Sequence, residues 1–407
     1  MQTTGFNAPQ AVDIDTKLTV NLVSMFTRLL QPPRTSFFLF GPRGTGKSTW
    51  IRTHFAKAHV VNLLATDEML RYEREPAVFR AEVLALPKER WIVIDEVQRV
   101  PRLLDEVHLL MEEHGHRKFA LTGSSARKLK RGAANLLAGR AIVRNLLPLT
   151  SAETGFAVPT AQLLRYGALP LSVNAADDDS REDFLRAYVT TYLSEEIKAE
   201  GLVRDLGGFG RFLEVASLAA GQPTNVSGIA RDAGVARDTV RGYFEVLVDT
   251  LIAHWLPAYR PRAKIKERAL PKLYWFDPGV LHAAAGGFDQ PLPPDWDGVL
   301  LEHLVLHEIR SHVHYAGIKG SLGYWGTPSG SEVDFVWWRG REVVAIEVKN
   351  AREPRRDFRK GIEAFLAGAE ARSFVVYRGD RELDLQGTRV LPLETFLRRL
   401  HAGQIVG

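Results

Sequence analysis

The stretch Gly41-Pro42-Arg43-Gly44-Thr45-Gly46-Lys47-Ser48 constrains this chain more than any other. It follows a short apolar run, Ser36 to Phe40, that reads as a buried strand, and it opens a helical segment from Trp50 to Ala58. Strand, G-x-x-x-x-G-K-S and helix in that order form the context of a phosphate-binding loop. The glycines let successive backbone N–H groups face inward around phosphate oxygens, and the positive end of the helix dipole adds to their field. Lys47 reaches for the outer phosphates, the Ser48 hydroxyl suits Mg²⁺, and Thr49 closes the first turn. A Gly-rich turn matching by chance would lack the flanking strand and helix. The expected cofactors are therefore ATP and Mg²⁺.

Only 407 residues long, the chain has room for two or three domains, each with its own core. It contains no cysteine, which excludes disulfides, thiolate metal sites and cysteine nucleophiles. Apolar runs are strand-sized and the first residues lack the pattern of a signal peptide, so the expectation is a cytoplasmic protein with no membrane partner. A net charge of +5 leans weakly toward a nucleic-acid partner.

Leu18, Leu22, Phe26, Leu29 and Leu30 recur at helical spacing, and Pro32-Pro33 would stop that helix before the first strand. Further short strands are expected at His59 to Leu64, Trp91 to Ile94, Lys118 to Leu121 and Ala141 to Val143, separated by helices. That alternation argues for a parallel α/β sheet. The third run ends in Asp95-Glu96, the Walker-B arrangement: Asp95 joins Ser48 as the expected metal pair, and Glu96 orients and polarises the attacking water as the catalytic carboxylate. The fourth ends in Thr122-Gly123-Ser124-Ser125, whose hydroxyls either contact the terminal phosphate or simply make a turn. Lys47 and Glu96 are the catalytic residues expected from these motifs.

Four stretches together resemble one prokaryotic family of AAA-type P-loop ATPases fused to a conserved C-terminal domain of unknown function. They are Gly41 to Ser48, Val93-Ile94-Asp95-Glu96-Val97-Gln98-Arg99-Val100-Pro101, Leu121 to Ser125, and Leu137-Ala138-Gly139-Arg140. The resemblance runs from about residue 35 to near the end, with Ala168 standing where the family usually has a second glycine. It implies that Thr122 or Ser124 is a sensor of the bound nucleotide. It also implies that Arg140, rather than Arg144, is an arginine finger acting on a neighbouring copy, so self-association into a ring is expected.

The implied organisation is an N-terminal helix and ATPase core over 1–150, a helical lid over 151–205, a winged helix-turn-helix over 206–285, and a restriction-endonuclease-like α/β domain over 286–407. In the lid, Asp179-Ser180 are expected to cap a helix carrying Phe184, Tyr188, Tyr192 and Ile197. Ser227 to Ala233, a turn at Gly234-Val235, and Ala236 to Phe244 make the helix-turn-helix pattern. Arg237, Asp238 and Arg241 are placed to face outward on its second helix. Arg260, Arg262, Lys264 and Lys266 follow as a basic wing. Such units contact DNA or serve as packing modules, and basic residues on both helix and wing favour DNA.

In the last region a helix from Gly298 to Val313 carries Glu302 on an apolar stripe, where a carboxylate is costly unless paired or metal-bound. Asp334 on one strand is followed by Glu347-Val348-Lys349 on the next. This order resembles the core of metal-dependent nucleases, in which Asp334 and Glu347 would bind Mg²⁺, Glu302 would support the metal and Lys349 the water or transition state. A hairpin with surface salt bridges, or a nuclease-like fold without activity, fits the same residues. Three functions follow: an ATP-driven remodeller or translocase of duplex or branched DNA, an ATP-gated metal-dependent nuclease of defence type, and an ATP-dependent switch that binds a protein partner.

Overall fold

The computed structural model describes residues 26–124, 137, 139–193, 205–260 and 270–407. The first module is built from strands β1 (Phe37–Phe40), β2 (His59–Asn62), β3 (Ile92–Asp95), β4 (Phe119–Gly123) and β5 (Ile142–Asn145). Helices α1 (Lys47–His54), α2 (Thr66–Arg74), α3 (Pro76–Ala85) and α4 (Leu103–Glu113) connect them. The sheet is parallel throughout, in the order β2-β3-β4-β1-β5. All four residues of β1 are apolar because helices cover both faces. Alternation sends Phe38 and Phe40 into the core with α3 and α4, and Phe37 and Leu39 into the core with Trp50 and Phe55. Each such side chain contributes about 1.5–3 kcal/mol when fully buried.

The expected N-terminal helix is not borne out where it can be followed. Residues 26–36 run without regular helix, and 1–25 lie outside the described residues. Arg28 explains the difference. Its buried guanidinium donates to Glu153 (2.9 Å) and to the carbonyls of Thr45 (2.7 Å) and Leu147 (2.5 Å), so this segment is fixed by long-range polar bonds rather than by an apolar stripe.

The middle region is helical: α5 (Thr160–Tyr166), α6 (Pro170–Asn174) and α7 (Asp178–Ala187), which continues as a π-helical segment, Tyr188–Leu193. Asp177, not Asp179, caps α7, accepting from the Ser180 N–H at 2.8 Å. Ile197 lies outside the described residues. Ala168 is buried and donates its N–H to Asp277 (2.7 Å), so a methyl group is accommodated where the resembling family has glycine.

Next come α8 (Leu206–Leu218), α9 (Val226–Ala233) and α10 (Arg237–Asp249), then the antiparallel pair β6 (Ala253–Leu256) and β7 (Lys272–Trp275), and α11 (Pro278–Ala284). Asn225 caps α9 through the Gly228 N–H, and Gly234 ends it in the left-handed conformation. Asp277 caps α11, which has Pro278 at its first position.

The last module opens with α12 (Trp296–Tyr315) and the antiparallel strands β8 (Ser321–Gly326), β9 (Glu332–Arg339) and β10 (Glu342–Lys349). Helix α13 (Lys360–Leu366) crosses to β11 (Arg372–Tyr377), parallel to β10. Then β12 (Leu383–Leu385), β13 (Thr388–Pro392) and α14 (Leu393–His401) complete it. The sheet order is β12-β13-β11-β10-β9-β8. One face packs under α13; the other, under α12 and α14, is continuous with the apolar core of the middle helices. Among the described residues no helix is long and apolar enough to cross a membrane.

Candidate functional site

Strands β1, β3 and β4 are neighbours, so their carboxyl ends deliver the loop from Gly41 to Ser48, Asp95-Glu96 and Thr122 to Ser124 to one edge. Gly44 and Gly46 have φ of +79° and +90°, conformations that admit glycine most readily and that aim the loop's N–H groups inward. Thr45 Oγ1 donates to the Pro42 carbonyl at 2.9 Å and braces the loop. Lys47 is buried and folds back on the loop, donating to the carbonyls of Gly41 (2.7 Å) and Pro42 (3.1 Å). Ser48 Oγ donates to Asp95 Oδ2 at 3.1 Å, and Thr122 Oγ1 donates to the other Asp95 oxygen. A hydroxyl and a carboxylate side by side at the root of a phosphate loop are the hard oxygen donors that Mg²⁺ takes. The residues fit the expected cation. Thr49 is exposed at the start of α1.

Glu96 has φ 61°, ψ 46°, a left-handed conformation uncommon for a residue with a side chain. Its N–H donates to Thr122 Oγ1 (3.2 Å), and its carboxylate accepts from Gln98 Nε2. The same Gln98 nitrogen lies 3.3 Å from Ser124 Oγ. A side chain at Gly123 would collide with Gln98 Oε1, so that glycine makes room for the amide. Gln98 therefore links the expected catalytic acid to the expected sensor. Sequence reasoning passed over it, because only the fold brings the turn after β3 against β4.

Two other supports were missed. Arg28 bridges the Thr45 carbonyl to Glu153 and lies 3.2 Å from the Tyr315 hydroxyl. Burial works against its charge, but Tyr315 and Glu153 outweigh that and hold it above its usual value. Tyr188, in the π-helical segment, donates its hydroxyl to the Arg43 carbonyl (3.1 Å), and Arg43 lies over the Tyr192 ring. π-Helical turns concentrate at functional sites. Arg140 stands exposed before the edge strand β5, paired with Glu112 (2.7 Å) and near His108 (3.1 Å) on its own chain. Arg144 lies within β5.

On α10, Arg237, Asp238 and Arg241 are exposed, with Arg241 paired to Asp238 at 2.9 Å. Arg260 is exposed; Arg262, Lys264 and Lys266 lie outside the described residues. The chain just before Arg260 is tied down, since Tyr259 N–H donates to the Tyr324 carbonyl and Tyr324 N–H to the Pro257 carbonyl.

In the last module, Glu302 from α12, Asp334 from β9, and Glu347 and Lys349 from β10 share one electrostatic neighbourhood. Glu302 accepts from the Tyr274 hydroxyl (3.1 Å); burial, then the Asp334 charge, push its carboxyl up to about 8. Asp334 accepts from the Val348 N–H (2.7 Å) and is raised by burial against the pull of Lys272 and Lys349. Glu347 is raised strongly by burial and by Asp334, although Lys349 donates to it at 2.6 Å. Its Oε2 is buried with no hydrogen-bond partner. Lys272 pairs with Glu332 beside them. Even so, among the described residues no three His, Asp or Glu groups converge as metal ligands.

With this geometry in view, the comparisons with known proteins divide the chain in three. Residues 33–155 match an AAA domain. That module is an AAA-type P-loop ATPase. Residues 160–291 match a domain of unknown function (DUF8612), and 297–396 another (DUF4143). Two proteins described as uncharacterised, from Mycobacterium bovis and Mycobacterium tuberculosis, are each 27% identical over 308 residues, which cover 74% of this chain and 67% of theirs. Among solved structures, a Walker-type ATPase of Pyrococcus abyssi is 14% identical with a TM-score of 0.42, covering 61% of this chain and 90% of its own. The ORC2 protein of Aeropyrum pernix, in its ADP form, is 12% identical with a TM-score of 0.29, covering 54% and 81%. Both scores are low, so the ATPase assignment rests on the AAA match and on the residues at the loop.

Proposed function

We propose that this chain hydrolyses ATP, assembles into a ring and uses the energy to remodel or translocate DNA held by a winged-helix unit. The observation that carries the reading is a small pocket beside the phosphate loop, lined by Arg43, Ser124, Tyr188 and Tyr192 and also by Thr250 and Ile252. The last two belong to the connection between α10 and β6, so the helix-turn-helix unit borders the nucleotide site.

The loop N–H groups and Lys47 would hold the phosphates, and Ser48 with Asp95 would hold Mg²⁺, which supplies charge neutralisation at the transferred group. Lys47 leaves the Gly41 and Pro42 carbonyls to do so. Glu96 orients and polarises the water, and Gln98 reports its position to Ser124. Arg140 completes the site of a neighbouring copy after leaving Glu112, a release that costs at most about 1 kcal/mol for so exposed a pair. Arg237, Arg241 and Arg260 supply contacts to DNA phosphates or base edges. The test is ATPase rate with and without duplex or branched DNA, alongside native mass. Stimulation and an oligomer are expected; an unstimulated, strictly monomeric ATPase would reject the reading.

A second reading is favoured by one observation: the buried, unpartnered Glu347 Oε2 beside Asp334 and Lys349. It makes the last module a metal-dependent nuclease gated by ATP, with the acids drawn together only when metal and DNA arrive. Mn²⁺-supported cleavage that disappears in Asp334→Ala and Lys349→Ala is its expected result. Equal cutting by those variants and the parent would end it.

A further inference from the structure

A different cluster lies where all three modules meet. A cavity of about 460 Å³ is bounded by Arg144 and Asn145 of β5, His254 and Trp255 of β6, and Arg310 and His314 of α12. Arg310 is the unusual member. Its guanidinium donates to His254 Nδ1 at 3.0 Å, and among the described residues no carboxylate pairs with it. Arg144 is bonded to the neighbouring Val143 carbonyl and likewise has no acid partner there.

Both histidines are held neutral. Burial, then Arg144 and Arg310, depress His314 to about 4, and its Nε2 accepts from the Asn145 N–H at 2.9 Å. Burial, then Arg310, lowers His254. With Nδ1 accepting from Arg310, the His254 proton sits on Nε2, another donor without a partner. Burial also brings Arg310 itself down to about 10. The positive charge is therefore carried by two guanidiniums that act on the same imidazole.

An unpaired cation in such a place is costly, and breaking or omitting its counter-ion is far worse than supplying one. Arg310 carries that cost; Arg144, partly exposed, faces the same cavity, and the two guanidiniums together suit a dianion. A phosphate group meets that demand in one tetrahedral unit and accepts from planar N–H forks, whereas a single carboxylate would leave one charge uncompensated. We propose that the junction of β5, β6 and α12 is a binding site for a phosphate group, separate from the ATP site and touching all three modules. Trp255 and the neighbouring apolar wall give room for the organic part that carries the phosphate. Occupancy would tie the edge strand of the ATPase sheet to the helix-turn-helix unit and to the last module.

The test uses the full chain carrying Lys47→Ala, so that the nucleotide loop does not take the probe, titrated with inorganic phosphate by calorimetry. Saturable binding is expected, weakened by about tenfold or more in Arg144→Ala and in Arg310→Met, since each removes a charge-assisted contact. Arg310→Met is also expected to melt higher than its parent without phosphate and to lose the parent's rise with phosphate, because an apolar side chain of similar length replaces an unpaired buried cation. A short DNA duplex added in competition separates the sources. Displacement of phosphate assigns the site to a nucleic-acid backbone, and no displacement assigns it to a small phosphorylated compound. Absence of saturable binding, or equal affinity in the parent and both arginine variants, overturns the proposal and leaves the ATPase reading untouched.

Discussion

The ATPase edge and the acid cluster of the last module both gather carboxylates beside strands, yet their surroundings give them opposite chemistry. At the ATPase edge Asp95 accepts from two hydroxyls, Ser48 and Thr122, and lies at an open strand tip where a cation can replace those hydrogens. In the last module Glu302, Asp334 and Glu347 are withdrawn from water and Asp334 raises the other two, with Lys272 and Lys349 offsetting only part of that cost. Residue type is alike; position and solvation differ, and solvation decides which set is ready for a metal.

The hardest blow to this contrast would come at the ATPase edge. Lys47→Ala should abolish ATP binding, measured by equilibrium titration, and Glu96→Gln should keep ATP bound while turnover falls by about 10²–10⁴-fold. Comparable turnover in Glu96→Gln and parent would remove Glu96 from the chemistry.

Smaller, and aimed at the other side of the contrast, is the pH dependence of stability. Glu302 binds its proton more tightly folded than unfolded, with a folded value of about 8 against a usual 4.5. The stabilisation that proton brings is complete below the unfolded value and is lost as pH rises through the folded one. Melting temperatures should therefore separate as pH rises, Glu302→Gln exceeding the parent more at about pH 9 than at about pH 5. Parallel curves would mean that the carboxyl is not desolvated.

The mildest expected effect belongs to Gln98. Gln98→Leu should change ATP turnover by about tenfold, the size of one lost hydrogen bond to a charged group, while ATP affinity stays near the parent's. A change in affinity alone would make Gln98 part of the phosphate cradle and not a positioner of Glu96.

Much of the ATPase sheet was legible because β1, β3 and β4 are short apolar runs closed by Gly41, Asp95 and Thr122-Gly123, and local sequence carries that signal. The helix pair α9 and α10 was readable from its local pattern, with Gly234 in the turn between them, whereas the Asn225 cap came only with the structure. What stayed hidden depends on contacts across long separations. Arg28 sat within an apparent apolar stripe, and only its bonds to Glu153 and Thr45 show why residues 26–36 are not helical. Nothing in the local sequence singles out Arg310, because only the fold places His254 of β6 against it. The Glu302, Asp334, Glu347 and Lys349 set was found by order along the chain, but order says nothing about how dry the site is.

One helix has a part in each half of the contrast. Glu302 lies near the start of α12, and its last residue, Tyr315, meets Arg28 under the phosphate loop while His314 and Tyr315 accept from the backbone of β5 and the residue pair after it. Thirteen residues of uninterrupted helix separate Glu302 from Tyr315, about 20 Å. Both ends of that uninterrupted helix are tied down, one by the Tyr274 hydroxyl and the other by Arg28 and the backbone of Leu147. The phosphate loop and the buried carboxyl thus share one rigid element of the fold.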